Sequence, residues 1–303
     1  MNKLAFNRAA RTLLSLVFLG FNLSALQAKP DNKLTPSEVI AKHLESIGSA
    51  EARARVHGTK IKGTCELIAK QGGIGQSTGQ VLMASQGSQN LINMTLDSGD
   101  PATGFAFDGS KITVTQFRPG RHTALEQFFA EYEALVKEGL IGGTLAQSWA
   151  LLNLQERNPK LEYVGKKKIG GKELHAIKYA PRKGSEMKIT LFFEVETFRH
   201  VRTEYEQTIY STEQKRIPGG GGGLPSIDNE RGAAQRLSVY EEFSDFRPEG
   251  GLNLPHTYKF ELSVQSQTRP TLIDWTFNLN TFTFNGPFDA SEFAVVNGTS
   301  KPN

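Results

Sequence analysis

Alternation of apolar and polar residues with a period of two limits this chain's fold more than any other feature. Met187, Ile189, Leu191, Phe193 and Val195 share one parity, and Lys188, Thr190 and Glu194 the other. Tyr258, Phe260, Leu262 and Val264 alternate with Thr257, Lys259, Glu261 and Ser263. Ile273, Trp275, Phe277 and Leu279 oppose Asp274, Thr276, Asn278 and Asn280. Such strands belong to an antiparallel sheet with one dry and one wet face. Strands are expected over 59–70, 79–85, 90–96, 104–107 and 111–117, with Asp108-Gly109 as a hairpin turn. Others follow over 161–166, 172–179, 188–195, 199–209, 235–246, 255–266 and 271–284. A sequential series of this length, with mostly short connections, reads as one large meander that must curl or close.

One block breaks the pattern. In 122–139 the large apolar residues Leu125, Phe128, Phe129, Tyr132, Leu135 and Val136 recur at helical spacing. Gly142-Gly143 interrupts it, and 144–154 carries Leu145, Trp149 and Leu152, again at helical spacing. An amphipathic pair inserted mid-chain in a sheet protein must lay its apolar face on the sheet or across the mouth of a half-open barrel. A helix also opens the region before the strands. Thr35 is an N-cap, Pro36 the first helical residue and Glu38 the partner of a capping box. Val39, Ile40, Leu44 and Ile47 form its apolar stripe, and a short helical piece over 51–57 follows.

The first 28 residues read as a signal peptide. Lys3, Arg8 and Arg11 form a basic start, 12–26 is mostly apolar, and Ala25 and Ala28 offer cleavage points. No cysteine follows, as bacterial lipoprotein processing would need, so a soluble exported protein in the periplasm is expected. Removing 1–28 takes three basic residues and no acidic one, and lowers the net charge from +4 to +1. The basic pI therefore gives no support for nucleic-acid binding. Residues 29–303 are expected to form a single β domain, with the helical insert at 122–154. A flexible loop is expected at 216–232, where five glycines at 219–223 lie between two prolines. Cys65 is the only cysteine and shares strand parity with Ile61, Gly63 and Leu67, which marks it as a buried apolar residue with no disulfide partner.

Catalytic signatures are missing. The glycines at 73, 75 and 79 do not match the dinucleotide fingerprint, and the run at 219–223 lacks the Lys-Ser/Thr of a phosphate loop. There is no Gly-x-Ser-x-Gly elbow. The six histidines lack metal-ligand spacing and read as surface or boundary residues. Glu204, Glu206, Glu241 and Glu242 read as members of solvated faces. Lys166-Lys167-Lys168 with Gly170-Gly171-Lys172 reads as a basic hairpin tip, able to touch anionic headgroups for a moment. No cofactor or metal is expected, and the chain is read as non-enzymatic. Nineteen phenylalanines against two tryptophans make the aromatic content Phe-heavy.

Three stretches together resemble the LolA/LolB-like outer-membrane lipoprotein carrier family in the broad sense. They are 138–152 (EGLIGGTLAQSWALL), 163–177 leading into 191–197 (LFFEVET), and 242–256 (EFSDFRPEGGLNLPH) closing on 287–293. The helix over 38–48 is similar as well. The resemblance implies a mainly β (α+β) fold, a large curved antiparallel sheet or incomplete β-barrel with helices covering its concave face. It also implies a cavity for the acyl chains of lipids or lipoproteins. The residues expected to line it are Leu125, Phe128, Phe129 and Trp149 from the helical cover, with Phe193, Trp275 and Phe277 from strands. The alternative is a non-enzymatic envelope interaction or stress-sensing module on the same fold, with a protein partner.

Overall fold

The computed structural model describes residues 34–71, 75–98, 102–115, 123–210, 234–265 and 270–293. The expected signal peptide over 1–28 and the expected loop over 216–232 lie outside them. Helix α1 (Pro36–Ile47) carries the expected capping box, and α2 (Ala50–Ala54) is shorter than its sequence suggests. Twelve strands follow, all where the alternation places them. The first five are β1 (Gly58–Gln71), β2 (Gln76–Gln86), β3 (Gln89–Leu96), β4 (Thr103–Phe107) and β5 (Ile112–Val114). After the cover come β6 (Lys160–Ile169), β7 (Lys172–Ala180), β8 (Lys188–Glu194), β9 (His200–Tyr210), β10 (Ala234–Glu249), β11 (Leu252–Gln265) and β12 (Thr271–Phe284).

All twelve form one antiparallel sheet in the order β5-β4-β3-β2-β1-β12-β11-β10-β9-β8-β7-β6. This corrects the expectation of a single meander. There are two, β1–β5 and β6–β12, and the first and last strands seal them together. Cys65 lies opposite Phe277, and Leu67 opposite Trp275. That pairing removes two edges that would otherwise invite association. It leaves β5 and β6, consecutive in the chain, as the two outer edges of an incomplete barrel. The chain between them must therefore cross from one edge to the other, and the crossing segment is the helical block.

The inner face is one core. Val39, Ile40 and Ile47 of α1 join inward residues of the strands and nearly every large apolar residue of the crossing segment. Among the described residues, no helix is long and apolar enough to cross a membrane.

Candidate functional site

The crossing segment is less helical than its spacing suggests. Residues 123–139 contain α3 (Ala124–Glu131) and α4 (Glu133–Lys137), broken at Tyr132, whose hydroxyl donates to Gln207 Oε1 at 2.5 Å. Thr123 and Glu126 make a second capping box at the start of α3. Beyond Gly142 a continuous helix does not form. Two 3₁₀ turns, Gly143–Leu145 and Ala150–Asn153, lead into a one-turn helix, α5 (Leu154–Arg157). The physical reason is burial on every side: from Leu140 to Leu151 only Gln147 is not fully buried. A segment with no wet face gains nothing from amphipathic spacing. Its amides bond instead to nearby turns and to the sheet. Ala150 N–H donates to Gly139 O at 2.8 Å, and Gln147 N–H to Ser85 Oγ at 2.9 Å. Gly142 (φ 87°) and Gly143 (φ 50°) supply the left-handed backbone this path needs. A side chain at Gly143 would also come within 2.8 Å of the Phe243 ring.

The seven residues expected to line a cavity are all buried, and all belong to the one inner core. They fall into two groups. On α3, Phe129 meets Phe105 at 4.4 Å between ring centroids, and Phe128 and Phe129 each meet Phe260 at 5.8 Å. Phe260 in turn meets Trp275 at 5.9 Å, and Leu125 is buried on the same helix. The second group is built on Trp149. His43 lies 4.9 Å and His200 5.0 Å from it, and Phe193 sits 5.1 Å from His43. Phe277 joins through Tyr258 and Phe243, each ring 5.1 Å from the next.

The residues that sequence reasoning missed are the polar ones inside. Glu241 was placed on a solvated face, but it is fully buried. Its Oε1 accepts from Gly142 N–H and from the Tyr258 hydroxyl, both at 2.7 Å. Its Oε2 accepts from the Tyr205 hydroxyl at 2.6 Å. Burial raises its pKa, against the lowering effect of these donors. A signal existed, since Glu241 shares parity with the inward Leu237, Val239 and Phe243. Glu126 is likewise fully buried and accepts from the Thr115 hydroxyl at 2.5 Å.

The histidines are the other correction. His43, His175, His200 and His256 are buried, against the expectation of surface positions. His43 continues the apolar stripe of α1. His200 turns inward at a bulge where the pairing shifts between Phe192 and Phe193. Burial pushes His43 down to about 3 and His200 well below the usual imidazole range. His43 Nδ1 bonds to Phe198 O at 2.9 Å and His200 Nε2 to Thr203 Oγ1 at 2.9 Å, while the other nitrogen of each ring has no partner. Cys65 is buried, and burial raises its thiol to about 11, which suits an inert core position. Among the described residues, no group of three or more His, Cys, Asp or Glu is placed to hold a metal ion.

No family model matches the chain, and no curated protein matches it. Solved structures do. A putative outer membrane lipoprotein-sorting protein domain from Vibrio parahaemolyticus is 14% identical, with 84% of this chain and 97% of that one covered and a TM-score of 0.41. A LolA superfamily protein from Nitrosomonas europaea is 10% identical, with 85% and 97% covered and a TM-score of 0.44. A DUF1329 family protein from Desulfovibrio piger is 8% identical, with 85% and 96% covered and a TM-score of 0.40. The first two belong by name to the group that the sequence resembles. At these identities and scores the likeness is one of fold alone.

Proposed function

We propose that this protein is a non-enzymatic periplasmic carrier that takes the acyl chain of a lipid or lipoprotein between α3 and the inner face of the sheet. Leu125, Phe128, Phe129 and Trp275 form the receiving surface, and Trp149, Phe193 and Phe277 close its inner end. The observation that carries this reading is the contact of α3 with the sheet, which is made by rings on rings. An alkyl chain can replace those ring contacts with apolar contacts of its own. Moving it out of water is favoured by about 0.8 kcal/mol per CH₂. The α3 rings occupy the space that the chain would take, so binding requires α3 to lift.

Fluorescent acyl-probe titration and native mass spectrometry test this. The parent protein binds a long-chain probe saturably. Phe129→Ala weakens the closed state by ~3 kcal/mol and so tightens apparent binding by up to a hundredfold. Failure of both proteins to bind the probe sinks the reading. One observation favours the alternative, an envelope interaction module. Residues 139–151 are buried on all sides and hydrogen-bonded to central strands, as a permanent plug would be.

A further inference from the structure

The β6–β7 hairpin and the cleft behind it take no part in the interior site. The hairpin turns at Gly170-Gly171, and a Cβ added at either position would meet nothing within 4 Å, so the tip projects. Lys166, Lys167, Lys168 and Lys172 surround it, all exposed and none in a hydrogen bond or ion pair among the described residues. Glu173 is the lone acid beside them. Strand register sets Lys167, Ile169, Lys172 and Leu174 on one face. Ile169, Lys172 and Leu174 of that face form one wall of a cleft of about 530 Å³.

The cleft floor is apolar. Leu174, Ile169 and Val201 line it, and Leu174 is buried beside Phe192 in a small cluster of their own on the outer side of the sheet. Its far wall carries Arg199, Arg202 and Lys259. Arg202 is already paired with both Glu204 and Glu242, and Asp245 with Arg247, while Glu194 accepts from the Thr197 hydroxyl and keeps its charge. Lys259 has no partner among the described residues.

We propose that this hairpin and cleft dock the protein on a bilayer surface rich in anionic phospholipid, Lys167 and Lys172 facing headgroup phosphates and Ile169 with the cleft floor meeting the boundary of the acyl region. The cations are spread over a projecting tip and do not converge on an enclosed point. That arrangement matches a plane of phosphates better than one soluble anion. The proposal stands apart from the interior site.

Vesicle co-sedimentation tests it, with phosphatidylglycerol–phosphatidylcholine vesicles against phosphatidylcholine alone. The parent protein partitions onto the anionic vesicles, and salt that shortens the Debye length from about 10 Å toward 3 Å releases it. Each lysine contributes about fivefold to the partition constant, so Lys167→Gln with Lys172→Gln lowers it on the order of twentyfold. Lys167→Arg with Lys172→Arg keeps it. Equal partition onto neutral vesicles, or full binding by the glutamine variant, overturns the proposal. Release by inorganic phosphate at matched ionic strength also overturns it and assigns the cleft to a free anion. Acyl-probe binding by the glutamine variant reports on the interior alone, which keeps the two failures distinct.

Discussion

Helix α3 and residues 139–151 cover the same inner face but are held there by different chemistry. α3 rests on Phe105 and Phe260 through aromatic contacts, and its polar ties lie at its two ends, Glu126 to Thr115 beside the edge strand β5 and the Tyr132 hydroxyl to Gln207. The second segment is pinned to the middle of the sheet. Gly142 and the Leu140 carbonyl meet the Glu241–Tyr205 pair on β10 and β9, and the Leu145 carbonyl and Gln147 amide meet Thr59 and Ser85 on β1 and β2. Apolar contacts tolerate substitution of one apolar partner for another, whereas a buried hydrogen bond that loses its partner costs its full desolvation. One cover thus contains a replaceable half and a fixed half.

The largest effect expected from breaking that contrast is at Glu241. Glu241→Ala strands the Gly142 amide and the Tyr258 hydroxyl and leaves Tyr205 only the Leu140 carbonyl, and lowers stability by about 3 kcal/mol or more in denaturant titration. Glu241→Gln costs far less, because the Tyr205 hydroxyl can turn its proton to the Leu140 carbonyl, 3.2 Å away, and accept from the new amide. Equal losses would mean that charge, not hydrogen bonding, holds the fixed half.

Phe129→Ala comes next. By hydrogen exchange it should speed the α3 amides on the order of a hundredfold while 140–150 stay protected. Uniform acceleration through both segments would show that the cover opens as one piece.

The smallest effect is that of pH. His43 titrates near 6.5 in the unfolded chain and about 3 in the fold, so folding excludes a proton between those values. Stability is intact above pH 6.5 and falls as the pH drops below it, by roughly 2 kcal/mol at pH 5 from His43 alone. His200 acts in the same direction. Glu241 acts in the opposite one: its raised pKa gives stability below about 4.5 that is lost as pH rises through the folded value. Thermal melts of His43→Leu should show a flatter acid limb than the parent, and an unchanged limb would rule His43 out as its source.

Strand positions were legible because each strand has a dry and a wet face, and the period of two records that division residue by residue. The burial of Phe193, Trp275 and Phe277 was legible for the same reason, and that of Leu125, Phe128 and Phe129 from their helical spacing. Glu241 was misread because charge was weighed above parity, and His43 because a histidine in an apolar stripe looks like a boundary. The form of 139–151 was not legible at all. Its side chains are buried all round, so no periodicity marks which backbone shape will carry them.

The sequence by itself determined the antiparallel sheet, the capped first helix and the fact that the middle of the chain is a covering element. Those follow from local pattern and capping chemistry. Only the tertiary structure decided that β1 pairs with β12. That single long-range pairing makes β5 and β6 the outer edges, sends the cover formed by 123–159 across the inner face, and brings Gly142 to Glu241. No local signal encodes it, because it is selected by the burial of two strand edges far apart in the chain.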